Sequence, residues 1–232
     1  MTTIITGASK GIGRGIAEIF AANGSDLLLC SRGEATLYKV MDELMARYPS
    51  ILIKAKPADL SIKNEAIAFG EWCLESGVPD VIINNAGNFE PGSVNNEKDG
   101  NLEIQIATNL YSAYHLTRTL LPQMMKRKSG HVFNMCSIAS IAAYPNGGAY
   151  SISKFALYGF SKNLREELKT HGIKVTHVIP GAVMSDSWGQ FDNSKNRIME
   201  ADDVAKMIWA ASQLSVQACI EEIVLRPQLG DL

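Results

Sequence analysis

An α/β domain built on one doubly wound parallel sheet of about seven strands is the fold this sequence predicts, and three observations predict it. Short apolar runs rich in β-branched residues alternate with amphipathic stretches along the whole chain. Those runs are continuously apolar, as in strands covered on both faces, and do not alternate polar with apolar. No internal repeat, low-complexity tract or Pro/Ser-rich linker divides the 232 residues, so one domain is expected over 1–232.

In chain order, residues 3–6 (TIIT) form the first strand, and the amphipathic stretch 12–22 after the glycines stops at Asn23-Gly24. Residues 26–31 (DLLLCS) are a second buried strand, and 34–48 a helix ended by Pro49. Residues 51–55 give the third strand and 63–76 the third helix, closed by Gly77 and Pro79. The fourth strand is 80–84 (DVIIN), and a long helical region spans 101–128. Strand 131–136, helix 149–171 ending at Gly172, and strand 174–179 ending at Pro180-Gly181 follow. Helix 202–212 then leads to a last strand at 220–225. Each strand–helix–strand crossover is expected to be right-handed. In such a sheet ligands lie beyond the C-terminal ends of the strands, so residues just after a strand matter most.

Composition removes several function classes. With 46% hydrophobic residues, 20% charged residues and a net charge of −2, the chain is neither disordered nor basic enough to suggest a nucleic acid or an anionic membrane as partner. The start of the chain lacks the charged-then-apolar build of a signal peptide, and no run approaches ~20 apolar residues. A cytoplasmic location is the expectation. The scattered Cys30, Cys73, Cys136 and Cys219 read as reduced thiols, and the four histidines show no metal-ligand spacing, so no metal is expected.

The first strand runs into Thr6-Gly7-Ala8-Ser9-Lys10-Gly11-Ile12-Gly13 and then a helix. Glycines there permit a tight turn and let backbone N–H groups approach a pyrophosphate at the positive helix end, which makes the sheet Rossmann-type. The spacing is G-x-x-x-G-x-G. The second strand ends at Ser31-Arg32. A carboxylate at that edge would bind the ribose hydroxyls of NAD. A hydroxyl and two cations, Arg32 and Lys10, suit a 2′-phosphate, so NADP(H) is preferred over NAD(H). Asp59-Leu60 after the third strand and Asn85-Ala86-Gly87 after the fourth lie where a dinucleotide would run, although each is also an ordinary turn sequence. Asp59 can accept from an adenine amino group, and Ala86-Gly87 lets the chain pass close to a ribose.

Ser137 directly follows the fifth strand, and Tyr150 and Lys154, four apart, share one side of a helix. A phenol with a pKa near 10 is a poor acid or base at neutral pH, and an adjacent ammonium is expected to pull it down by roughly 1–3 units. Tyr150 would then give a proton to a carbonyl oxygen receiving hydride, or take one from an alcohol. Ser137 would hold that oxygen.

These pieces resemble the short-chain dehydrogenase/reductase family across nearly the whole chain. They are TGASKGIG at 6–13, DL at 59–60, NNAG at 84–87, Asn109, Ser137, YSISK at 150–154 and PGAV at 180–183, with Ser137 thirteen residues before Tyr150. The resemblance implies Tyr150 as acid/base and Lys154 as the group that lowers its pKa and binds the nicotinamide ribose. Ser137 then orients the carbonyl, and Asn109 holds a water that links Lys154 to a proton relay. It places Asn85, Ala86, Gly87, Pro180, Gly181 and Val183 beside the nicotinamide half of the cofactor. Cys136 stands where the family often has a serine, and Ser185 where it usually has a threonine that contacts the carboxamide. Residues 184–199, with Trp188, Phe191 and Met199, occupy the position of the family's variable substrate loop. PGAV…W and the ending EEIVLRPQLGDL resemble sepiapterin-reductase-like and oxoacyl-reductase-like members.

The expected function is therefore an NADPH-dependent carbonyl reductase or alcohol dehydrogenase acting on a small ketone or aldehyde. A reductase of 3-oxoacyl thioesters is an alternative that needs a basic surface near the pocket, and only 126–128 offers one. A non-catalytic NADP-sensing protein is the alternative from another class, and an intact Ser137/Tyr150/Lys154 set speaks against it. Asp231 reads as a solvated terminal carboxylate before a substrate ligand. Apolar positions on more than one face of helices 101–127 and 150–170 predict a homodimer or homotetramer.

Overall fold

The computed structural model describes residues 1–185, 188–189 and 191–231. Residues 186, 187 and 190 of the expected substrate loop lie outside the described residues. Seven strands form one sheet in the order β3-β2-β1-β4-β5-β6-β7, and every neighbouring pair is parallel. The strands are β1 (Thr2–Thr6), β2 (Asp26–Cys30), β3 (Ile53–Ala55), β4 (Val81–Asn84), β5 (Gly130–Met135), β6 (Ile173–Pro180) and β7 (Glu222–Leu225). The helices are α1 (Gly11–Ala22), α2 (Glu34–Arg47), α3 (Lys63–Leu74), α4 (Asn101–Ile106), α5 (Ser112–Arg127), α6 (Gly148–Leu168) and α7 (Ala201–Ser212).

Alternate strand residues feed two cores. Ile5, Leu27, Leu29, Ile83, Phe133 and Val178 pack under α1, α2 and α7. Their neighbours Ile4, Leu28, Ile82, Val132 and Val175 pack under α3, α5 and α6. This is the period of two that a strand imposes, with both faces apolar because helices cover both. Phe20 and Trp209 join α1 to α7 edge to face at 5.0 Å.

The elements appear where expected, with informative differences at their ends. The last strand begins at Glu222 and not at 220, because the carbonyl of Ile220 accepts from the Thr176 hydroxyl at 2.5 Å. The expected helix 101–128 is three pieces. A π-helical turn, Ala107–Tyr111, separates α4 from α5, and α5 tolerates Pro122 in its interior. Helix 149–171 ends as a 3₁₀ turn, Lys169–His171, before Gly172 at φ 70°. A Cβ on Gly172 would lie 2.4 Å from the carbonyl oxygen of Lys128, so two connections cross there only because it is glycine.

Strand order reverses between β1 and β4. The chain runs from β1 outward to β3 and then returns to the other side of β1, so the connections diverge and leave a crevice at their C-terminal ends. Among the described residues no helix is long and apolar enough to cross a membrane. Nor does any group of three or more His, Cys, Asp or Glu gather as metal ligands among them.

Candidate active site

Two turns meet at the crevice. In the first, Gly7 and Gly11 adopt φ 65° and 54°, and a Cβ on Gly13 would fall 2.2 Å from the carbonyl oxygen of Gly7. The second follows β4. Asn85 Nδ2 donates to the carbonyls of Thr6 (2.9 Å) and Gly7 (3.3 Å). The Thr6 hydroxyl oxygen accepts from the backbone N–H of Asn85 (2.9 Å) and Ala86 (2.8 Å). Asn85 therefore spends its side chain on shaping the glycine turn. Thr6, which the sequence motif contained without a role, is the stitch between the two turns.

α1 opens without a side-chain cap and without an acidic residue in its first turn. Its first N–H groups therefore meet a positive helix end that suits an anion. Ser9 and the exposed Lys10 flank it, and Ile12 turns its side chain onto the core. At the end of β2, the buried Ser31 hydroxyl has no hydrogen-bond partner, and Arg32 beside it is exposed. An unpartnered buried hydroxyl, an open helix end and a turn kept bare of Cβ atoms fit a dinucleotide with its adenosine end near Ser31. Asp59 takes the turn reading of its sequence. Its Oδ1 already accepts from the N–H (3.0 Å) and hydroxyl (2.7 Å) of Ser61 in an Asx turn. The Leu60 side chain lies in the core under α3, which leaves its backbone to face a ligand.

The sequence-predicted quartet comes together where β5, α4 and α6 converge. Ser137 caps a 3₁₀ turn, Ile138–Ser140, its Oγ accepting from the Ala139 N–H at 3.2 Å while Ser140 Oγ accepts from the Ser137 N–H at 3.0 Å. The Ser137 hydroxyl faces the Tyr150 phenol closely enough to favour its ionised form. Lys154, 6% exposed, donates from Nζ to the Met135 carbonyl at 2.8 Å and stands 5.8 Å from the centre of the Tyr150 ring. Below it, α6 is fastened to β5 a second time. Asn134 Nδ2 donates to Ser161 Oγ (2.7 Å), which bonds His177 Nδ1 at 2.5 Å.

The electrostatics correct one expectation. The Tyr150 phenol is not pulled down but raised, because burial penalises phenolate more than the Ser137 hydroxyl favours it. Burial also acts on Lys154, lowering its ammonium to about 8. Sequence spacing showed the pair but not how dry their surroundings are.

Asn109 sits in the π-helical turn, a feature concentrated at functional sites. Its Nδ2 donates to Asn88 O (3.0 Å), Gln105 Oε1 (3.2 Å) and Ser153 Oγ (2.8 Å), while Oδ1 accepts from Asn88 N at 2.7 Å. Ser153 Oγ in turn donates to the Tyr150 carbonyl at 2.7 Å. Asn109 is thus a brace between the loop after β4 and α6. A Cβ on Gly87 would intrude 3.1 Å from Asn109 Oδ1 and 3.6 Å from Lys154 Nζ, so glycine keeps that gap open.

Past Pro180, the Gly181 N–H donates to the Leu225 carbonyl at 2.7 Å. Val183, 5% exposed, pairs with Met199 and belongs to the core under α1 and α7. The Ser185 Cβ lies 3.6 Å from the Cβ position of Gly11, which brings the start of the 184–199 loop over the glycine turn. Trp188 Nε1 donates to Val183 O at 3.0 Å, and its ring meets Phe191 at 5.2 Å. Asp231 is exposed, as a solvated terminal carboxylate would be, and also has partners. It pairs with Arg226, and its Oδ1 lies 2.8 Å from the Cβ position of Gly181. Arg197 holds the tail by donating to the carbonyls of Gly230 (2.9 Å) and Asp231 (3.0 Å).

Sequence reasoning missed Phe89, whose ring packs against Tyr150 at 4.8 Å and 85°. Nothing in the local pattern NFEPG marks it. Gln105 and Ser153 were equally silent, although Ser153 lies inside the YSISK motif.

Comparison with known proteins bears on the family and the fold. A family model described as short chain dehydrogenase matches residues 1–196. Sepiapterin reductase of Chlorobaculum tepidum is 32% identical over 238 residues, covering 99% of this chain and 97% of that protein. A metagenomic short-chain oxidoreductase solved in complex with NADP superposes with a TM-score of 0.85 at 31% identity, covering 98% of this chain and 97% of the other. A beta-ketoacyl-[ACP] reductase from Bacteroides thetaiotaomicron gives a TM-score of 0.84 at 30% identity, with the same shares covered.

Proposed function

The chain belongs to the short-chain dehydrogenase family of oxidoreductases, and on that premise we propose that it is an NADPH-dependent reductase of small ketones or aldehydes. One observation carries this reading: Ser137, Tyr150 and the buried Lys154 converge at the C-terminal end of β5, with Lys154 Nζ 5.8 Å from the Tyr150 ring centre and held by the Met135 carbonyl at 2.8 Å. A neutral phenol is a proton donor, which is the role reduction needs.

The residues divide the work as follows. Bound reduced nicotinamide supplies hydride to the carbonyl carbon. Ser137 and Tyr150 both offer hydroxyl protons to the carbonyl oxygen, and Tyr150 gives up its own as the alcohol forms. Lys154 steadies the phenolate left behind, and Met135 holds the Lys154 head in place through its carbonyl. Asn109 keeps Gly87 and α6 at fixed separation, so that gap is preset. Preference for NADPH rests on the unpartnered Ser31 hydroxyl and the exposed Arg32, with Lys10 across the turn. The NADP complex of the metagenomic relative supports the same choice.

The thioester alternative is disfavoured. Arg127 of the 126–128 basic cluster donates to Val78 O (2.7 Å) and Pro79 O (2.5 Å) and pairs with Asp80 at 3.1 Å, all at the N-terminal edge of the sheet. That is the end opposite the site. Exposed Leu102, Ile104, Ile152 and Phe155 on α4 and α6 support a homodimer or homotetramer, and a monomer by light scattering would refute it.

Fluorescence titration with NADPH and NADH, followed by activity on a panel of carbonyls, tests the main reading. Tighter NADPH binding is expected. Tyr150→Phe should keep cofactor binding and lose at least about a hundredfold in turnover. Tighter NADH binding would sink the cofactor assignment, and full activity in Tyr150→Phe would sink the mechanism.

A further inference from the structure

The loop after β4 presents an aromatic ring to the proton donor and is held unusually firmly while doing so. Phe89 meets the Tyr150 ring at 4.8 Å and 85° yet keeps 41% of its surface exposed. The residues on either side of it are clamped. Asn109 takes both the N–H and the carbonyl of Asn88, and Gln105 Nε2 donates to the Glu90 carbonyl at 2.9 Å. Farther along, Gly92 N donates to Asn146 O (3.0 Å), and Ser93 Oγ donates to Asn146 Oδ1 (2.8 Å). Glu97 Oε2 accepts from the N–H of Ala149 at the start of α6, at 3.2 Å. These bonds fasten the loop to segment 144–149, which carries a second aromatic, Tyr144, 40% exposed. The Tyr144 carbonyl accepts from the Gly147 N–H at 3.1 Å, and Tyr144 Cε1 lies 3.2 Å from the Cβ position of Gly147, which sets its ring at the start of the helix that carries Tyr150.

A flexible loop would fold an apolar ring inward. Here the backbone on both sides is fixed and the ring stays out, next to the group that protonates the substrate. Building on the reductase reading above, we propose that Phe89 and Tyr144 form a preset aromatic wall beside Tyr150. This wall selects carbonyl compounds with a flat, unsaturated ring attached to the C=O over saturated ones of the same size. Flat rings gain edge-to-face or offset contact with both aromatics, whereas a puckered ring gains only apolar contact.

Acetophenone and cyclohexyl methyl ketone share a carbon count and differ in flatness, which makes them the probes. With NADPH, Phe89→Leu should lower the ratio of their kcat/KM values by about five- to tenfold, the size expected for one aromatic pair. The value for the cyclohexyl ketone should stay within about twofold, because leucine keeps apolar bulk against Tyr150. Tyr144→Leu should shift the ratio in the same direction. If Phe89 merely props Tyr150, Phe89→Leu lowers kcat for both ketones equally and leaves the ratio alone, which overturns the wall. Binding of each ketone to the NADP⁺-loaded protein, followed by NMR line broadening, reads the wall without turnover. A binding preference for acetophenone that Phe89→Leu abolishes, with no reduction of either ketone, would uphold the wall and overturn the reductase reading. Equal binding of the two ketones would overturn the wall whatever the activity.

Discussion

Replacing Lys154 by methionine should make the protein more stable while crippling it. The lysine is 6% exposed, and its ammonium is lowered from 10.5 to about 8 by burial. That displacement, about 2.5 pH units at about 1.4 kcal/mol each, means that holding the charge inside costs about 3 kcal/mol at neutral pH. Methionine has similar length and no charge, so the cost disappears. Against this, the Met135 carbonyl loses the hydrogen bond from Nζ at 2.8 Å, worth about 1 kcal/mol. The net expectation is a gain of about 2 kcal/mol, or about 4–8 °C in Tm for a chain of this size. The sign has a pH signature. Below pH 8 both folded and unfolded chains hold the proton, and the full cost applies to the unmutated protein. Between about pH 8 and 10.5 the folded state has released the proton while the unfolded state has not, so the unmutated protein gains stability as pH rises. The advantage of Lys154→Met should therefore shrink over that window. Tyr150, raised by burial, destabilises the fold above pH 10 in both proteins, and its contribution cancels in the difference. Denaturant melts at pH 7 and pH 10, with carbonyl reduction measured alongside, provide the assay. A variant no more stable at pH 7, or an advantage that does not shrink by pH 10, would refute the reasoning. So would reductase activity retained within tenfold.

The same ionisation governs the reaction: reduction needs Lys154 charged and Tyr150 protonated, so kcat/KM for the carbonyl should fall as pH rises through about 8. A profile flat to pH 10 would contradict the assignment. Gly13→Ala should abolish dinucleotide binding and lower stability by about 2 kcal/mol or more, because its Cβ would sit 2.2 Å from the Gly7 carbonyl oxygen. Gly24→Ala is the control: φ is 80° but nothing lies within 4 Å, so titration should show binding unchanged. Arg197→Ala releases the Gly230 and Asp231 carbonyls. Carboxypeptidase should then remove the C-terminal residues faster, with the global melt moved by no more than about 0.5 kcal/mol.

Much of this was legible because it is local. β-branched runs such as TIIT and VIIN declared the strands, and glycines at 7, 11 and 13 declared a turn that no side chain could occupy. The spacing of Tyr150 and Lys154 put them on one helix face. What stayed hidden depends on distant parts of the chain. The direction of the Tyr150 ionisation follows from burial, which the spacing of two residues does not encode. The π-helical turn around Asn109 leaves no mark in ATNLY, since the register change answers to packing against Asn88 and Ser153. Asp59 carried two readings, an adenine acceptor and an ordinary turn, and Asp231 one as a solvated terminal carboxylate. The hydroxyl of Ser61 two residues on makes Asp59 a turn residue, and the exposed Asp231 adds a pair with Arg226 five residues back.

The strand order also bears on how the protein is made. β1, the strand that leads into the glycine turn, lies between β2 and β4, and in chain order β2 is made long before β4. Synthesis of residues 56–84, the 29 that separate the end of β3 from the end of β4, takes about 1.5–6 s at ~5–20 residues per second. Any β3-β2-β1 sheet formed in that interval would have an unpaired Thr-Thr-Ile-Ile-Thr edge. Such an edge is a template for pairing with another chain. The β1–β4 junction that opens the crevice in the finished protein is thus, during translation, the seam where two nascent copies would most readily stick together. Slower translation between β3 and β4 lengthens that exposure.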